Sequence, residues 1–381
     1  MLNRGQKRIL ALALAGFGGM LASSHCWAVD NQFNASVGTD FNTAGNWTPN
    51  TLPGANTVDN YFVQTGLTSA YSAGNVAVHG VVVGDDSTGS LNMTAGHLTV
   101  TGGGNSFAVG RSLNIDPSLR GGGTVNLSGT AILEIGGSDP VVGARDHGVL
   151  DVGGSSQVFP TTVGGTYWRL GNYGPSFDAG LLGNGLLNVH NNGSFRANVI
   201  FLGDNDSTGE LRVSDNGSVV LTDNLNARPA GTFTQGSATV RMTGSHATLQ
   251  AHGLESASDP SEIKTLYRFD ADAGGVSKIT LTDAINITHN NLAVNLNGFV
   301  VPAQGMLLFD GDQALAGNRI FGTFDSLTVN GVLNPSNYSV TYNQALGDIS
   351  LTLVPEPASL AALAIGATLL IGRRRQSFAK I

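Results

Sequence analysis

The stretch GDNDSTGELRVSDNGSVVL at residues 203–221 has a close copy in GDDSTGSLNMTAGHLTV at residues 84–100. In both copies, a Gly-Asp segment and a second glycine precede a run in which apolar and polar residues alternate. A further glycine then leads into a second alternating run. Alternation with period two predicts strands that are buried on one face, and the glycines predict tight turns between them. The repeat therefore predicts an all-β chain of short strands.

Weaker copies of this unit occur at residues 123–127, 148–152, 185–189 and 236–240. With the two close copies included, the alternating runs start 24 to 37 residues apart. One unit of this size cannot bury its apolar face alone, and stacking of copies solves the problem. We therefore expect a right-handed parallel β-helix, or solenoid, over residues 65–252, in which strands of the 203–221 copy pair in parallel with residues 185–189. A β-sandwich is the alternative, because alternation does not separate parallel from antiparallel strands.

Two segments flank the repeats. Residues 29–64 are expected to form an N-terminal cap, in which Trp47 covers the open end of the first coil; stacking of Trp47 on a sugar is the alternative. Residues 252–264 break the repeat and gather charge. We therefore expect a separate, small antiparallel β module over residues 253–353.

Gly209 is expected to lie in a confined turn with a positive φ angle.

The composition of the chain excludes several classes of protein. Of its 381 residues, 53 are glycine and 41% are hydrophobic, which argues against disorder. The 19 Lys and Arg residues are outnumbered by 27 Asp and Glu, giving a net charge of -8 that argues against nucleic acid as a partner. The single cysteine, Cys26, rules out an intrachain disulfide and a site made of several thiolates.

The N-terminus predicts a secretory signal peptide over residues 1–28, cleaved after Ala28 and directing export through the general secretory route. Arg4, Lys7 and Arg8 precede an apolar run at residues 9–21. A lipoprotein signal acylated at Cys26 is one alternative. A retained anchor helix is another, although the run is shorter than the roughly 20 residues that span a bilayer.

The C-terminus, residues 354–381, has three parts in a fixed order. The triplet Pro355, Glu356 and Pro357 comes first, the apolar run 358–372 follows, and the basic cluster is last. We expect a transmembrane helix over residues 358–372, held at its cytoplasmic end by the positive-inside bias. The basic cluster consists of Arg373, Arg374 and Arg375.

This terminus resembles the PEP-CTERM sorting signal of exported proteins in Gram-negative bacteria that make exopolysaccharide. The resemblance implies an exosortase-type processing enzyme as a partner, cleavage near residues 355–357, anchoring in the inner membrane, and delivery to the cell surface or extracellular matrix. An uncut tail anchor is the alternative. Residues 80–250 resemble the β-strand repeats of autotransporter passengers and of similar surface proteins. Residues 41–59 resemble the opening motif of those surface proteins, and residues 266–353 resemble their membrane-proximal segment.

Candidate catalytic side chains recur where an apolar run ends in a glycine. Asp and Asn are also favoured at such turns because their side chains hydrogen-bond to the nearby backbone. The turn explanation is sufficient for them, including the loop triplet at residues 145–147. We therefore expect no catalytic residue, no cofactor and no enzymatic activity. The candidates are Asp85, Asp86, Arg111, Asp139, Arg145, Asp146, His147, Arg169, Asp204 and Asp206.

A calcium loop is the candidate metal site. Asp204, Asp206, Thr208 and Asp215 occupy positions 1, 3, 5 and 12 of such a loop. Its flanks, however, have the pattern of strands and not of helices.

Three functions remain open at this point. The first is a structural or adhesive protein of the cell surface or matrix, associated with exopolysaccharide or biofilm. The second is a β-helix enzyme, a polysaccharide lyase or hydrolase, which needs carboxylates from adjacent coils in one cleft. The third is a calcium-dependent binding module. A structural protein should instead cover the same faces with Thr, Ser and Asn.

Overall fold

A computed structural model describes residues 30–354 apart from 55–57, 105, 113–120, 138, 163–164, 173–182, 205–206, 227–236, 256–263 and 312–318. The described residues are almost entirely strands and turns, with a short 3-10 helix at Ala44–Asn46. The strands are β1 (Asp30–Phe33), β2 (Trp47–Thr48), β3 (Asn60–Val63), β4 (Leu67–Tyr71), β5 (Asn75–Val78), β6 (Gly80–Asp85), β7 (Gly89–Met93), β8 (His97–Val100), β9 (Phe107–Arg111), β10 (Gly122–Leu127), β11 (Ile132–Ile135), β12 (Val141–Ala144), β13 (His147–Val152), β14 (Gln157–Pro160), β15 (Tyr167–Asn172), β16 (Asn184–Val189), β17 (Ser194–Ala197), β18 (Val199–Asp204), β19 (Thr208–Val213), β20 (Ser218–Leu221), β21 (Leu225–Asn226), β22 (Ser237–Thr243), β23 (Thr248–Ala251), β24 (Leu254–Glu255), β25 (Thr265–Asp270), β26 (Ile279–Leu281), β27 (Ile285–Asn286), β28 (Asn291–Asn295), β29 (Met306–Gly311), β30 (Ile320–Phe321), β31 (Ser326–Val329), β32 (Val332–Leu333), β33 (Tyr338–Asn343) and β34 (Asp348–Leu353).

These strands form three long sheets that the chain visits in turn. Sheet A has the order β2-β1-β3-β6-β9-β12-β15-β18-β21-β24-β27-β30. Sheet B runs from β4 through β7 and every third strand to β31 and β32, and sheet C from β5 through β8 and every third strand to β29, then β34 and β33. Most neighbours pair in parallel with the strand three places along, so one strand from each sheet makes one coil of a β-helix.

The pairing of β19 confirms the predicted parallel stacking. It pairs in parallel with β16, and Gly209 lies opposite Gly185 and Leu211 opposite Leu187. A β-sandwich would instead place antiparallel hairpins within each copy, so that alternative is wrong for the described strands.

The core lies inside the coils and explains the alternating pattern. One inner column of sheet B consists of aliphatic side chains that are at most 1% exposed, one from each successive strand. Burial of each such side chain contributes about 1.5–3 kcal/mol relative to exposure. The column is Leu91, Val125, Leu150, Leu187, Leu211 and Val240.

Gly209 is confined, as expected, but not by a turn. It lies in β19 rather than in a turn, and the positive φ angle of that corner belongs to Gly203, at 67°. A Cβ atom on Gly209 would lie 2.3 Å from the carbonyl oxygen of Leu170 and 2.4 Å from the backbone nitrogen of Gly203. The expected turn was therefore wrong, and close packing of backbone at the corner between sheets A and B is the physical reason for glycine here.

This corner keeps its register although the coils differ in length. Gly123, Gly148, Gly185 and Gly209 align on neighbouring strands. The chain takes 25 residues from Gly123 to Gly148, 37 from there to Gly185, and 24 from there to Gly209. The alignment therefore does not depend on the length of the coil.

The solenoid extends beyond the predicted range at both ends. Parallel pairing begins with β1 and β3, inside the predicted cap, and continues past residue 252 through β25 and β28 to β31. The expectation of an antiparallel module over residues 253–353 was wrong for most of this range. The strands before and after the charged segment, β24 and β25, both pair in parallel with their neighbours, so the solenoid continues across it. Among the described strands of the C-terminal part, antiparallel pairing joins β29 with β34, β33 with β34 and β31 with β32, and an isolated antiparallel bridge joins Asp272 with Gly275.

The N-terminal end is closed by an aromatic cluster around Trp47. This side chain is fully buried, and its ring centroid lies 5.1 Å from that of Phe33, 5.0 Å from Phe41 and 4.9 Å from Tyr61. The indole Nε1–H donates a hydrogen bond to the carbonyl oxygen of Phe41 at 2.8 Å. The predicted role as a lid is confirmed, and stacking on a sugar is wrong because no face of the ring is exposed.

The predicted signal peptide and sorting segment lie outside the described residues, except for Val354. Within the described part of the chain, no helix has the length and apolar character needed to cross a membrane.

Candidate functional site

Among the predicted candidates, Asp85 and Arg111 form a closed ion pair between adjacent coils. Arg111 Nε and Nη2 donate to Asp85 Oδ1 and Oδ2 at 2.8 and 2.9 Å, and the guanidinium lies 5.8 Å from the ring centroid of Phe62. Burial would lower the pKa of Arg111, but the hydrogen bonds and charge of Asp85 outweigh burial and raise it. The pair thus joins two coils through two charge-assisted hydrogen bonds.

The other candidates are held in separate local contacts. Asp86 accepts a hydrogen bond from Ser112 Oγ at 2.7 Å, and Asp146 accepts one from the backbone N–H of His147 at 2.7 Å. Arg169 Nη2 lies 3.7 Å from Asp139 Oδ1 and its guanidinium 5.2 Å from the ring centroid of Phe201. Arg145 has a φ angle of 62° at its corner. Apart from Asp139 and Arg169, the described candidates lie at the corner between sheets A and B, where Arg111 also forms a β-bridge with Arg145.

The calcium-loop hypothesis is wrong for the residues that the structure describes. Thr208 begins β19, whereas Asp215 lies in the turn after that six-residue strand. Because a strand rises about 3.3 Å per residue, the two lie more than about 15 Å apart, while calcium ligands lie about 2.3–2.6 Å from the ion. Asp206 lies outside the described residues, and Asp204 ends β18. No group of three or more His, Cys, Asp or Glu suited to a metal occurs in the described part of the chain.

The outer face of sheet B carries a feature that the sequence analysis did not identify. One outward position on each of seven adjacent strands, from β7 to β25, holds a planar polar side chain. Parallel register places these residues directly beside one another. We call this row the polar ladder: Asn92, Asn126, Asp151, Asn188, Arg212, Arg241 and Arg268.

The asparagine half of the polar ladder, which consists of Asn92, Asn126, Asp151 and Asn188, is joined by hydrogen bonds between coils. Asn126 Nδ2 donates to Asn92 Oδ1 at 2.8 Å, and Asn188 Nδ2 donates to Asp151 Oδ1 at 2.6 Å. The other oxygen of Asp151, Oδ2, lies 3.0 Å from His190 Nε2. These contacts hold the amide planes in a row while their second polar atoms remain beside solvent.

The arginine half is organised by two carboxylates. Arg212 Nε and Nη2 donate to Glu210 at 2.6 and 2.8 Å. Arg241 Nε donates to Asp270 Oδ2 at 2.6 Å, and Arg268 Nε donates to Asp270 Oδ1 at 3.0 Å. The Asp270 side chain is only 6% exposed, whereas the side chains of Arg241 and Arg268 are 31% and 38% exposed. Asp270 thus lies beneath two guanidinium groups that face solvent.

The pKa of Asp270 reflects this arrangement. Burial would raise the pKa, but hydrogen bonds from Asn295, Arg268 and Arg241, with the charge of Arg241, outweigh burial and lower it. A carboxylate with a lowered folded-state pKa stabilises the fold above its unfolded-state pKa, which is about 3.9, and that contribution is lost as the pH falls through the folded-state value.

We expect Asp270→Asn to lower the free energy of unfolding at pH 7, and we expect the difference from the unsubstituted protein to shrink as the pH falls below about 4. Urea unfolding of both proteins between pH 7 and pH 3 measures this difference. A difference that stays constant over the range would contradict the proposed ionic role of Asp270.

An open cleft of about 310 Å³ lies on the same face, towards the N-terminal coils. Its wall combines backbone at the glycine corner with hydroxyl groups and one imidazole, that of the predicted candidate His147. The lining residues are Gly66, Leu67, Thr88, Gly89, Ser90, Gly122, Thr124 and His147. This surface offers hydrogen-bonding groups to a neutral polar ligand.

Comparison with protein-family models, with curated proteins and with solved structures gives no match to this chain.

Proposed function

We propose that this protein is an exported structural or adhesive component of the cell surface or extracellular matrix, and that the outer face of sheet B contacts exopolysaccharide. The polar ladder is the observation that carries this proposal. Its amide, carboxylate and guanidinium groups repeat at the spacing between strands, about 4.8 Å. That spacing is close to the length of one sugar unit in an extended polysaccharide, whose hydroxyl groups require both donors and acceptors.

The cleft and the shape of the fold support the same proposal. The cleft adds the hydroxyl groups of Thr88, Ser90 and Thr124 to this face, and no carboxylate is among its lining residues. Since a glycosidase needs paired carboxylates beside its substrate, the lining favours binding over hydrolysis at this position. A stack of coils with a continuous core is also suited to serve as a stiff spacer.

The sorting steps of the proposal come from the terminal sequences. In it, the signal peptide directs export, residues 358–372 anchor the chain in the inner membrane, and an exosortase-type enzyme acts near residues 355–357. We also infer right-handed coiling, because crossovers between parallel strands are right-handed in about 98% of cases.

The polysaccharide contact is tested with the purified full chain in detergent on a glycan array that includes the exopolysaccharide of the producing cell. We expect the double variant Asn92→Ala and Asn126→Ala to bind the exopolysaccharide less tightly, because both substitutions remove amide groups from the polar ladder. Gln157→Ala with Gln250→Ala is the matched control, since these amides are exposed on sheet C. An equal loss of exopolysaccharide binding in both double variants would count against the outer face of sheet B as the contact surface.

The sorting step is tested by replacing Pro355, Glu356 and Pro357 together with alanine. Proline removes a backbone donor and keeps this segment extended, so the substitution removes both the motif and its accessible conformation. We expect export to persist and the uncut protein to accumulate in the inner membrane, as measured by cell fractionation with an epitope tag near residue 259. Unchanged size and location would leave an uncut tail anchor as the explanation.

The basic cluster supplies the matched variant. Changing Arg373, Arg374 and Arg375 to serine removes the cytoplasmic stop, and the apolar run of 15 residues spans only about 22 Å at ~1.5 Å per residue. We expect full-length protein to be released to the periplasm. Retention in the membrane would show that the run anchors without its arginines.

A further inference from the structure

The arginine half of the polar ladder carries three positive charges, whereas the asparagine half carries one carboxylate, that of Asp151. Arg212 lies opposite Arg241 in the register of β19 and β22, and Arg241 lies opposite Arg268 in the register of β22 and β25. Neighbouring strands are about 4.8 Å apart, and like charges directly opposite each other destabilise a sheet. Three stacked arginines therefore need either counter-charges or a ligand.

The protein supplies fewer counter-charges than the row requires. Glu210 occupies the Nε and Nη2 groups of Arg212, and Asp270 is shared between Arg241 and Arg268. Three positive charges thus face two negative ones. Asp151, the nearest carboxylate along the polar ladder, is two strands from Arg212 and contacts Asn188 and His190.

The hydrogen bonds of Arg241 and Arg268 leave a defined set of donors. Both residues use Nε towards Asp270, and their Nη1 and Nη2 groups have no hydrogen-bond partner among the described residues. Asp270 also accepts a hydrogen bond from Asn295 at 2.5 Å, which fixes the carboxylate between the coils. The buried carboxylate therefore holds two guanidinium groups through Nε and leaves their Nη–H donors available to a ligand.

From this geometry we propose that Arg241 and Arg268, extended by Arg212, bind the carboxylate groups of an acidic polysaccharide that crosses the strands of sheet B. Guanidinium groups bind carboxylates through paired, charge-assisted hydrogen bonds, and the stack repeats at about the length of one sugar unit. This inference rests on the proposed function, because it identifies the class of polysaccharide that the same face binds. The amides at Asn92 and Asn126 would contact hydroxyl groups of the same polymer.

The test compares polygalacturonate with its fully methyl-esterified form, which has the same sugars without the charge. Titration calorimetry in detergent measures the affinity of two full-length proteins for each polymer. One is the unsubstituted protein, and the other is the double variant Arg241→Gln and Arg268→Gln. We expect the double variant to bind polygalacturonate at least about tenfold more weakly, since a lost charge-assisted hydrogen bond has about that effect. Its affinity for the esterified polymer should not change.

Two further variants control for general effects. Arg196→Gln removes an exposed arginine from sheet C and should bind both polymers as the unsubstituted protein does. Arg241→Lys with Arg268→Lys keeps the charge but loses the paired donors, so it should recover only part of the affinity. Urea unfolding of each variant establishes that the fold is retained.

The outcomes separate this inference from the proposed function. Unchanged binding of polygalacturonate by the folded Arg241 and Arg268 variant overturns the arginine site, while loss of neutral-polymer binding in the Asn92 and Asn126 variant would still support the polysaccharide contact. Equal loss for Arg196→Gln also overturns the site. If single-stranded polyuridylate binds as tightly as polygalacturonate through the same arginines, the assignment to polysaccharide is overturned in favour of a general polyanion site.

Discussion

Replacement of Gly209 by alanine is expected to lower the free energy of unfolding by about 3 kcal/mol, at the upper end of the usual cost of overpacking. The added Cβ would lie 2.3 Å from the carbonyl oxygen of Leu170 and 2.4 Å from the nitrogen of Gly203. Both atoms belong to the backbone of neighbouring strands, so no side-chain rotation relieves the contact. Relief requires the corner between sheets A and B to open and the parallel pairing on either side to shift.

Gly103→Ala is the matched control, because a Cβ atom at Gly103 has no neighbouring atom within 4 Å. Urea unfolding followed by circular dichroism measures both variants, and we expect a change within about 0.5 kcal/mol for the control. Equal stability of the two variants would show that the corner adjusts easily and would refute close backbone packing as the reason for this glycine.

The second large effect is expected at the N-terminal lid, where Trp47→Ala should lower the free energy of unfolding by about 3–5 kcal/mol. The substitution removes a fully buried indole that contacts Phe33, Phe41 and Tyr61. It also leaves the carbonyl oxygen of Phe41 without its indole donor. Since each coil contacts only its neighbours, the loss should begin at the first coil, β3 to β5.

Leu52→Ala provides the control within the same cap, because Leu52 is 51% exposed. Urea unfolding measures the total change, and amide hydrogen exchange shows where opening begins. We expect faster exchange in β3 to β5 for Trp47→Ala and almost no change for Leu52→Ala. Uniformly faster exchange along the whole chain would show that the coils unfold as one unit, contrary to the expected local opening.

The parallel stack was predictable because the copies at residues 84–100 and 203–221 are too short to form separate cores. The prediction failed after residue 252 because it depended on recognisable copies. β25 and β28 keep the alternation without the glycine motif, so their pairing with β22 and with each other was not evident. Alternation identifies strands but does not identify their partners.

The arginine half of the polar ladder was missed for the same reason. Arg212 is the third residue after Gly209, and Asn126 and Asn188 hold the same place after Gly123 and Gly185. Alignment of the copies on that glycine would have predicted the asparagine half of the polar ladder. Arg241 and Arg268 follow Ala238 and Thr265 instead, so only the observed register places them beside Arg212.

The fixed corner of sheets A and B also has a consequence for how such a chain evolves. Because Gly148, Gly185 and Gly209 keep their alignment across coils of unequal length, an in-frame insertion at the connection before the glycine does not alter the neighbouring pairings. Duplication of a whole coil likewise supplies a unit that fits both neighbours. Gene lengthening by recombination between repeats is therefore compatible with this fold, and related genes should differ mainly in the number of coils and in the lengths of the connections between strands.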